Sequence, residues 1–262
     1  MKKGTPLGTG VVSVYTVWRR FVSEMSAKSR AQPLSWLVHF YTASGAVLAF
    51  AATLATFDGR FRAAFMLLIA STLVDATDGM LARRAGIPHT TPRFDGAKLD
   101  DIVDYLTFVF VPMLILYRAG DLPEVWGFWV VSAVLLASGY GFASLDAKTS
   151  DYFFTGFPSY WNIVALYLHA AGLSPAFNGV LLLALVVMVF VRIGYVYPSR
   201  TPVLRGLTNV LGGVWGVMMV AVTWLLPSVP GWLLIASLFF PVYYTVLSFW
   251  LHANRLRSVS AK

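Results

Sequence analysis

Residues 61–84 read FRAAFMLLIASTLVDATDGMLARR, and residues 98–119 read KLDDIVDYLTFVFVPMLILYRA. Each stretch is long and apolar enough to cross the roughly 30 Å hydrocarbon core of a bilayer as a helix of about 20 residues. Each also carries carboxylates at one end: Asp75 and Asp78 in the first, Asp100 and Asp104 in the second. Ionisable side chains inside spanning helices are costly and mark functional positions. The two stretches therefore predict an all-α membrane protein with an acidic site near one membrane face.

Working outward, the same apolar pattern recurs. Spanning helices are expected near 35–56, 61–84, 98–119, 125–145, 158–172, 176–197, 206–226 and 231–252, about eight in all. Breaks carry Gly, Pro or Asp: Asp58-Gly59, Gly120-Asp121, Ser174-Pro175, Pro227 and Pro230. Before them, Val11, Val14, Tyr15, Trp18, Val22 and Met25 recur at helical spacing among Arg19, Arg20, Lys28 and Arg30. That pattern predicts an N-terminal amphipathic helix lying in the interface. The expected division is an N-terminal cytoplasmic or interfacial segment at 1–34, a membrane domain at 35–252 and a basic tail at 253–262.

Composition agrees. Hydrophobic residues make up 58% of the chain and charged residues 12%, against about 25% charged in an ordinary soluble domain. The chain has no cysteine, which excludes disulfides and thiol chemistry. The first 30 residues lack the compact apolar core and small-residue cleavage site of a signal peptide. The net charge of +8 reflects topology rather than nucleic-acid binding. With the N-terminus inside, 17 of the 20 Lys and Arg residues fall on the cytoplasmic face, and only Arg60, Arg62 and Arg118 on the other. That bias orients the bundle with both termini and the acidic site cytoplasmic.

Spacings of three and four residues put each aspartate pair on one helix face. Four carboxylates aimed at one spot repel unless cations neutralise them, and clustered oxygen ligands select hard ions such as Mg²⁺ or Mn²⁺. Gly79 and Ala82 are small enough for a ligand to approach the backbone. Arg83 offers a fork of donors suited to phosphate. Together these residues suggest a diphosphate substrate with a lipid tail.

The full pattern is Asp75-x-x-Asp78-Gly79-x-x-Ala82-Arg83, twelve residues, then Gly96-x-x-x-Asp100-x-x-x-Asp104. It resembles the signature of the CDP-alcohol phosphotransferases over roughly residues 35 to 250. The spacer is longer than the family's usual one, and in this the chain is similar to the bacterial branch that uses choline. His39-Phe40-Tyr41-Thr42-Ala43-Ser44-Gly45 and Lys148-Thr149-Ser150-Asp151-Tyr152-Phe153-Phe154-Thr155-Gly156-Phe157-Pro158 resemble that branch as well. The resemblance implies that Asp75, Asp78, Asp100 and Asp104 hold two divalent ions, Mn²⁺ or Mg²⁺, with Asp104 also the general base. It implies nucleotide and diphosphate contacts from Thr42, Gly79, Ala82, Arg83 and Gly96, with His39 beside them. The implied partners are CDP-diacylglycerol, choline and membrane lipid.

For choline, a quaternary ammonium, aromatic faces are the expected hosts. Tyr152, Phe153, Phe154, Trp161 and Asn162 are the best local match, beside Asp151 and Tyr160, although an interfacial aromatic belt uses the same residue types. Arg200 and Arg205 suit a lipid phosphate or positive-inside anchoring. Gly212-x-x-x-Gly216 suits close packing within the bundle or a homodimer seam. His169 and His252 lack partners at metal-ligand spacing and read as plain helix residues; His89 lies in the spacer. Two other functions remain open at this point. One is a sister enzyme whose acceptor is serine, inositol or glycerol phosphate; the other is a carboxylate-based cation transporter.

Overall fold

The computed structural model describes residues 14–86, 91, 93–147, 149, 151, 153–198, 201 and 203–260, with side chains at those from 33 to 255 and at 257. Helix α1 (Val14–Phe57) and α2 (Phe61–Ala85) form an antiparallel pair. The turn between them uses Gly59 at φ 71°, a left-handed conformation that glycine adopts without a Cβ penalty. Then come α3 (Gly96–Asp104), a π-helical turn at Tyr105–Phe110, and α4 (Val111–Ala119), which together make one continuous rod. The remaining helices are α5 (Gly127–Ala143), α6 (Trp161–Ala171), α7 (Pro175–Phe190), α8 (Arg205–Trp224), α9 (Gly231–Ser237) and α10 (Phe239–Ser260).

A helix is present at each of the eight expected stretches, the last divided at Leu238 into α9 and α10. The span expected at 176–197 ends instead at Phe190, and Gly194–Val196 within it is a strand, held by pairing with Phe153–Thr155. The protein is an all-α polytopic membrane protein. Among the described residues, four segments are long and apolar enough to span by themselves: Pro33–Phe57, Phe61–Ala85, Arg205–Trp224 and Gly231–Arg255. Large apolar side chains such as Leu37, Phe50, Leu136, Val217, Ile235 and Val246 point outward. On a soluble protein such a surface would aggregate; against lipid it is the ordinary exterior.

One expectation changes. The N-terminal amphipathic segment is not a separate helix, because α1 runs unbroken from Val14 to Phe57 with Pro33 inside it. A proline removes one i→i−4 hydrogen bond, but it does not end a helix that its neighbours support. The side chains of residues 11–30 lie outside the described set.

The core is built where the α3–α4 rod crosses the bundle. Val109, Met113, Ile115 and Leu116 are fully buried there, packed with Phe65, Trp161 and Leu182. Close approach of α1 to α3 depends on Gly45, where a Cβ would lie 2.5 Å from Val103 Cγ1. The three arginines assigned to the far face have local partners. Arg60 pairs with Asp58 at 2.7 Å, Arg62 donates from Nε (2.8 Å) and Nη2 to the Leu226 carbonyl, and Arg118 sits 5.5 Å over the Phe57 ring.

A two-stranded antiparallel sheet stands at the acidic end. Strand β1 (Phe153–Thr155) pairs with β2 (Gly194–Val196), with Phe154 opposite Tyr195. It ties the segment after α5 to the segment after α7. Gly212 packs inward, its Cβ position 3.3 Å from Phe240, whereas nothing lies within 4 Å of that position at Gly216.

Candidate active site

Asp75 and Asp78 lie in the last three turns of α2, a helix closed by Gly86 at φ 61°, whose N–H reaches the carbonyls of Ala82 and Arg83. Asp100 and Asp104 lie on α3. The start of α3 is capped by Asp95, whose side chain accepts from the Lys98 N–H at 3.1 Å. Asp95 thus has a structural task, as an N-cap carboxylate should. The π-helical turn begins at Tyr105, immediately after the last aspartate. Such turns change the helical register and concentrate at functional sites.

Oxygens of Asp75, Asp78 and Asp100 converge within 4.8 Å of one another. Asp78 is buried and accepts a hydrogen bond from Thr42 Oγ1 at 2.7 Å. Three carboxylates so close fit a hard divalent cation by the chemistry of their donor set, and would repel one another without one. When bound, such an ion supplies electrostatic stabilisation of phosphate oxygens.

The triad stands at the seam of two cavities. One, about 770 Å³, is lined by His39, Thr42, Asp78, Gly79, Arg83 and Arg93, with Ala82, Gly96 and Asp100 also on its wall. The other, about 450 Å³, is lined by Asp75, Asp104, Phe154, Ser159, Tyr160 and Tyr197, again with Asp100. Asp100 and Tyr197 border both cavities. The first sets Arg83 and Arg93 against Asp78, Asp95 and Asp100, and opens beside an aromatic group. There His39 Nε2 lies 3.0 Å from Thr91 Oγ1, and its ring packs at 4.5 Å against Phe94 and 5.6 Å against Trp36. The second is acidic and aromatic, with the Phe154 and Tyr197 rings packed at 4.7 Å and tilted by 33°.

Two glycines shape the larger cavity. A Cβ at Gly79 would lie 3.3 Å from Arg83 Nη1, so the glycine leaves room for the guanidinium. At Gly96 a Cβ would lie 2.9 Å from His39 Cε1. His39 is buried and held on three sides, so it cannot yield cheaply. Overpacking of this kind costs about 1–3 kcal/mol. Gly96→Ala should therefore raise the KM for the ligand of this cavity by about 5- to 100-fold. Steady-state kinetics would check it, and an unchanged KM would show that His39 moves aside.

Of the residues the sequence singled out, the structure brings Thr42, Gly79, Ala82, Arg83 and Gly96 onto one cavity wall with Asp78. Asp104 falls on the other cavity, one helical turn beyond Asp100. Phe154 lines that second cavity. Phe153 instead turns into a small core with Tyr195, Val196, Tyr244 and Leu247. Trp161 is fully buried, its Nε1 donating to Ser138 Oγ at 2.7 Å, and Asn162 donates to Thr72 Oγ1 at 3.2 Å. Both are packed into the bundle rather than set on the cavity wall. Arg205 is exposed at the start of α8, away from both cavities. Tyr152, Arg200 and His89 lie outside the described residues.

Sequence reasoning passed over Phe94 and Tyr197, and it gave two histidines no partner. His169 Nδ1 lies 2.6 Å from Asp121 Oδ2, and His252 Nδ1 accepts from the Gly194 N–H at 3.1 Å. Each partner is distant in sequence, where spacing carries no signal. Tyr197 had one local cue, an aromatic residue directly before Pro198 at the acidic end of a span.

Comparison with known proteins places this geometry. The sequence model of the CDP-alcohol phosphatidyltransferase family matches residues 37–191. The chain is similar to the phosphatidylcholine synthase of Pseudomonas aeruginosa, 36% identical over 210 residues, which is 79% of this chain and 88% of that protein. It is similar to the phosphatidylcholine synthase of Rhizobium meliloti, 32% identical over 219 residues, 84% of this chain and 91% of that one. A third relative, the phosphatidylcholine synthase of Legionella bozemanae, is 44% identical over 138 residues, 52% of this chain and 64% of that protein.

Proposed function

The chain belongs to the CDP-alcohol phosphatidyltransferase family, and from that premise we propose that it transfers the phosphatidyl group of CDP-diacylglycerol to choline, releasing CMP. The observation that carries this reading is the seam: a carboxylate triad between a cavity that presents two arginines and an aromatic one. The larger cavity suits a nucleoside diphosphate, with Arg83 and Arg93 near the phosphates and the His39–Phe94 pair offering a ring face to the base. Asp75, Asp78 and Asp100 would hold the divalent ions, two in number and Mn²⁺ or Mg²⁺ in kind.

Choline suits the other cavity. Its trimethylammonium head has no hydrogen-bond donor and is attracted to ring faces and carboxylates. Phe154, Tyr160 and Tyr197 supply the rings, and Asp75, Asp101 and Asp104 the negative field. In the transfer, the choline hydroxyl gives its proton to Asp104. Its oxygen bonds to the lipid-side phosphorus, and the bond from that phosphorus to the CMP oxygen breaks. The excess of Lys and Arg at this end supports a cytoplasmic site in the inner membrane. Exposed Arg205, with Arg200 nearby in sequence, would then meet lipid phosphate.

Purified protein incubated with CDP-diacylglycerol, Mn²⁺ or Mg²⁺ and labelled choline, serine, inositol or glycerol phosphate tests the assignment. Phosphatidylcholine is the expected lipid product; preferential use of another alcohol would overturn it. Each ring is worth about 0.5–2 kcal/mol to a quaternary ammonium. Tyr160→Ala and Tyr197→Ala should therefore raise the choline KM by about 2- to 30-fold each, and phenylalanine at either position should keep most of the affinity. Unchanged choline KM in both alanine variants would move the acceptor elsewhere.

A further inference from the structure

Strand β2 is gripped along its outer edge by a helix rather than by a third strand. The N–H of Gly194 donates to His252 Nδ1 at 3.1 Å. The N–H of Val196 donates to Ser248 Oγ at 3.1 Å, and the Val196 carbonyl accepts from Tyr244 Oη at 2.9 Å. Residues 244, 248 and 252 recur every four positions, so they form one vertical row on α10. Backbone groups that a sheet edge would leave open are thus satisfied one by one. Arg255 extends the row, pairing with Asp151 at 3.0 Å and lying 5.5 Å from the Phe153 ring.

The opposite edge of the sheet is closed as well. Thr155 N–H donates to the Ala147 carbonyl at 3.0 Å, and the Phe153 N–H donates to Thr149 Oγ1 at 3.0 Å. Immediately after β2 comes Tyr197, whose N–H donates to Thr201 Oγ1 at 2.9 Å and whose carbonyl accepts from the Thr201 N–H at 2.8 Å. Thr201 is itself buried. Tyr197 then packs in a tilted contact against Phe154 of β1 and borders both cavities at the carboxylate seam. A chain of fixed contacts therefore runs from α10 through β2 to the aromatic wall of the second cavity. Strand β2 and α10 lie beyond residue 191, where the family match ends.

We propose that α10 is a positioning element for the acceptor alcohol: the Tyr244–Ser248–His252 row sets β2, and β2 sets the Tyr197–Phe154 wall against which the acceptor is held. The metal triad is built by α2 and α3, and the larger cavity by α1, α2, α3 and the segment before α3, with Tyr197 its one residue from the β2 side, so the row bears on the acceptor more than on the nucleotide. The proposal rests on the assignment of the 450 Å³ cavity to the acceptor.

The test begins by identifying the alcohol the wild-type protein uses, so that failure of the choline assignment is seen separately. The KM for that alcohol and for CDP-diacylglycerol is then measured in Ser248→Ala, His252→Leu and His252→Asn. One lost hydrogen bond corresponds to about a 2- to 10-fold change in an equilibrium. The expected result is a rise of that size in acceptor KM for Ser248→Ala and His252→Leu, with a smaller change in CDP-diacylglycerol KM. His252→Asn should restore the wild-type value, because its Oδ1 occupies the place of Nδ1 and accepts the same bond. Amide exchange gives a readout independent of activity and of whether His252→Leu folds: Ser248→Ala should lose protection at Gly194–Tyr197 while α2 and α3 keep theirs. Unaltered acceptor KM, equal change in both KM values without rescue by asparagine, or unaltered exchange at Gly194–Tyr197 would each overturn the proposal.

Discussion

Asp78→Ala should abolish transfer to every alcohol and take CDP-diacylglycerol binding with it. Asp78 is the buried member of the triad, and its oxygen lies within 4.8 Å of oxygens from Asp75 and Asp100. Removing it leaves two carboxylates on adjacent helices, too few for a tight oxygen site. A divalent ion contributes several kcal/mol to charge stabilisation in phosphoryl chemistry, and each 1.36 kcal/mol is tenfold in rate. A loss of about a thousandfold or more follows. Asp78 also lines the larger cavity beside Arg83, so the loss extends to ground-state binding of the diphosphate. Chelation with EDTA should reproduce both effects in the wild-type protein, and added Mn²⁺ or Mg²⁺ should reverse them. Thr42→Val should cost much less, because it removes only the 2.7 Å hydrogen bond that orients the carboxylate. Turnover of Asp78→Ala at near the wild-type rate, or full activity in metal-free buffer, would sink the triad as the metal site.

The carboxylates were legible in the sequence because helical periodicity is local. Spacings of three and four residues fix which side chains share a face whatever the rest of the chain does. The helices were legible for a similar reason: lipid demands long apolar runs, and these leave a strong signal. The second cavity was far less legible. Its wall depends on three-residue strands at Phe153–Thr155 and Gly194–Val196, too short to show alternation and separated by two helices. Trp161 and Tyr160 illustrate the limit. They are adjacent in sequence and alike in chemistry, but Tyr160 lines the cavity and Trp161 is sealed in the core against Phe157 and Ser138. At the start of a helix each residue is turned about 100° from the last, so a one-position shift separates a binding residue from a packing one. His252 likewise looked unremarkable because its partner is a backbone N–H 58 positions away.

Asp104→Asn should abolish transfer while leaving CDP-diacylglycerol bound. Asp104 lies one helical turn beyond Asp100, on the acceptor side of the seam with Tyr160 and Tyr197. Asp78 and Arg83, which line the nucleotide side, are untouched by the change. Asparagine keeps the size and shape of aspartate but cannot take a proton at neutral pH. Loss of a positioned general base costs about 10²- to 10⁴-fold in rate. The fall should appear in kcat, since the substrate meets nearly the same surface and only the proton's destination is gone. Asp78→Ala and Asp104→Asn therefore separate two roles that sequence spacing alone leaves joined: the first loses binding and turnover, the second turnover alone. Single-turnover measurement on preformed enzyme–CDP-diacylglycerol complex, followed by addition of acceptor, distinguishes them. A rate for Asp104→Asn within a few-fold of wild type would remove Asp104 as the base. Loss of CDP-diacylglycerol binding in that variant would instead make it a fourth member of the metal site.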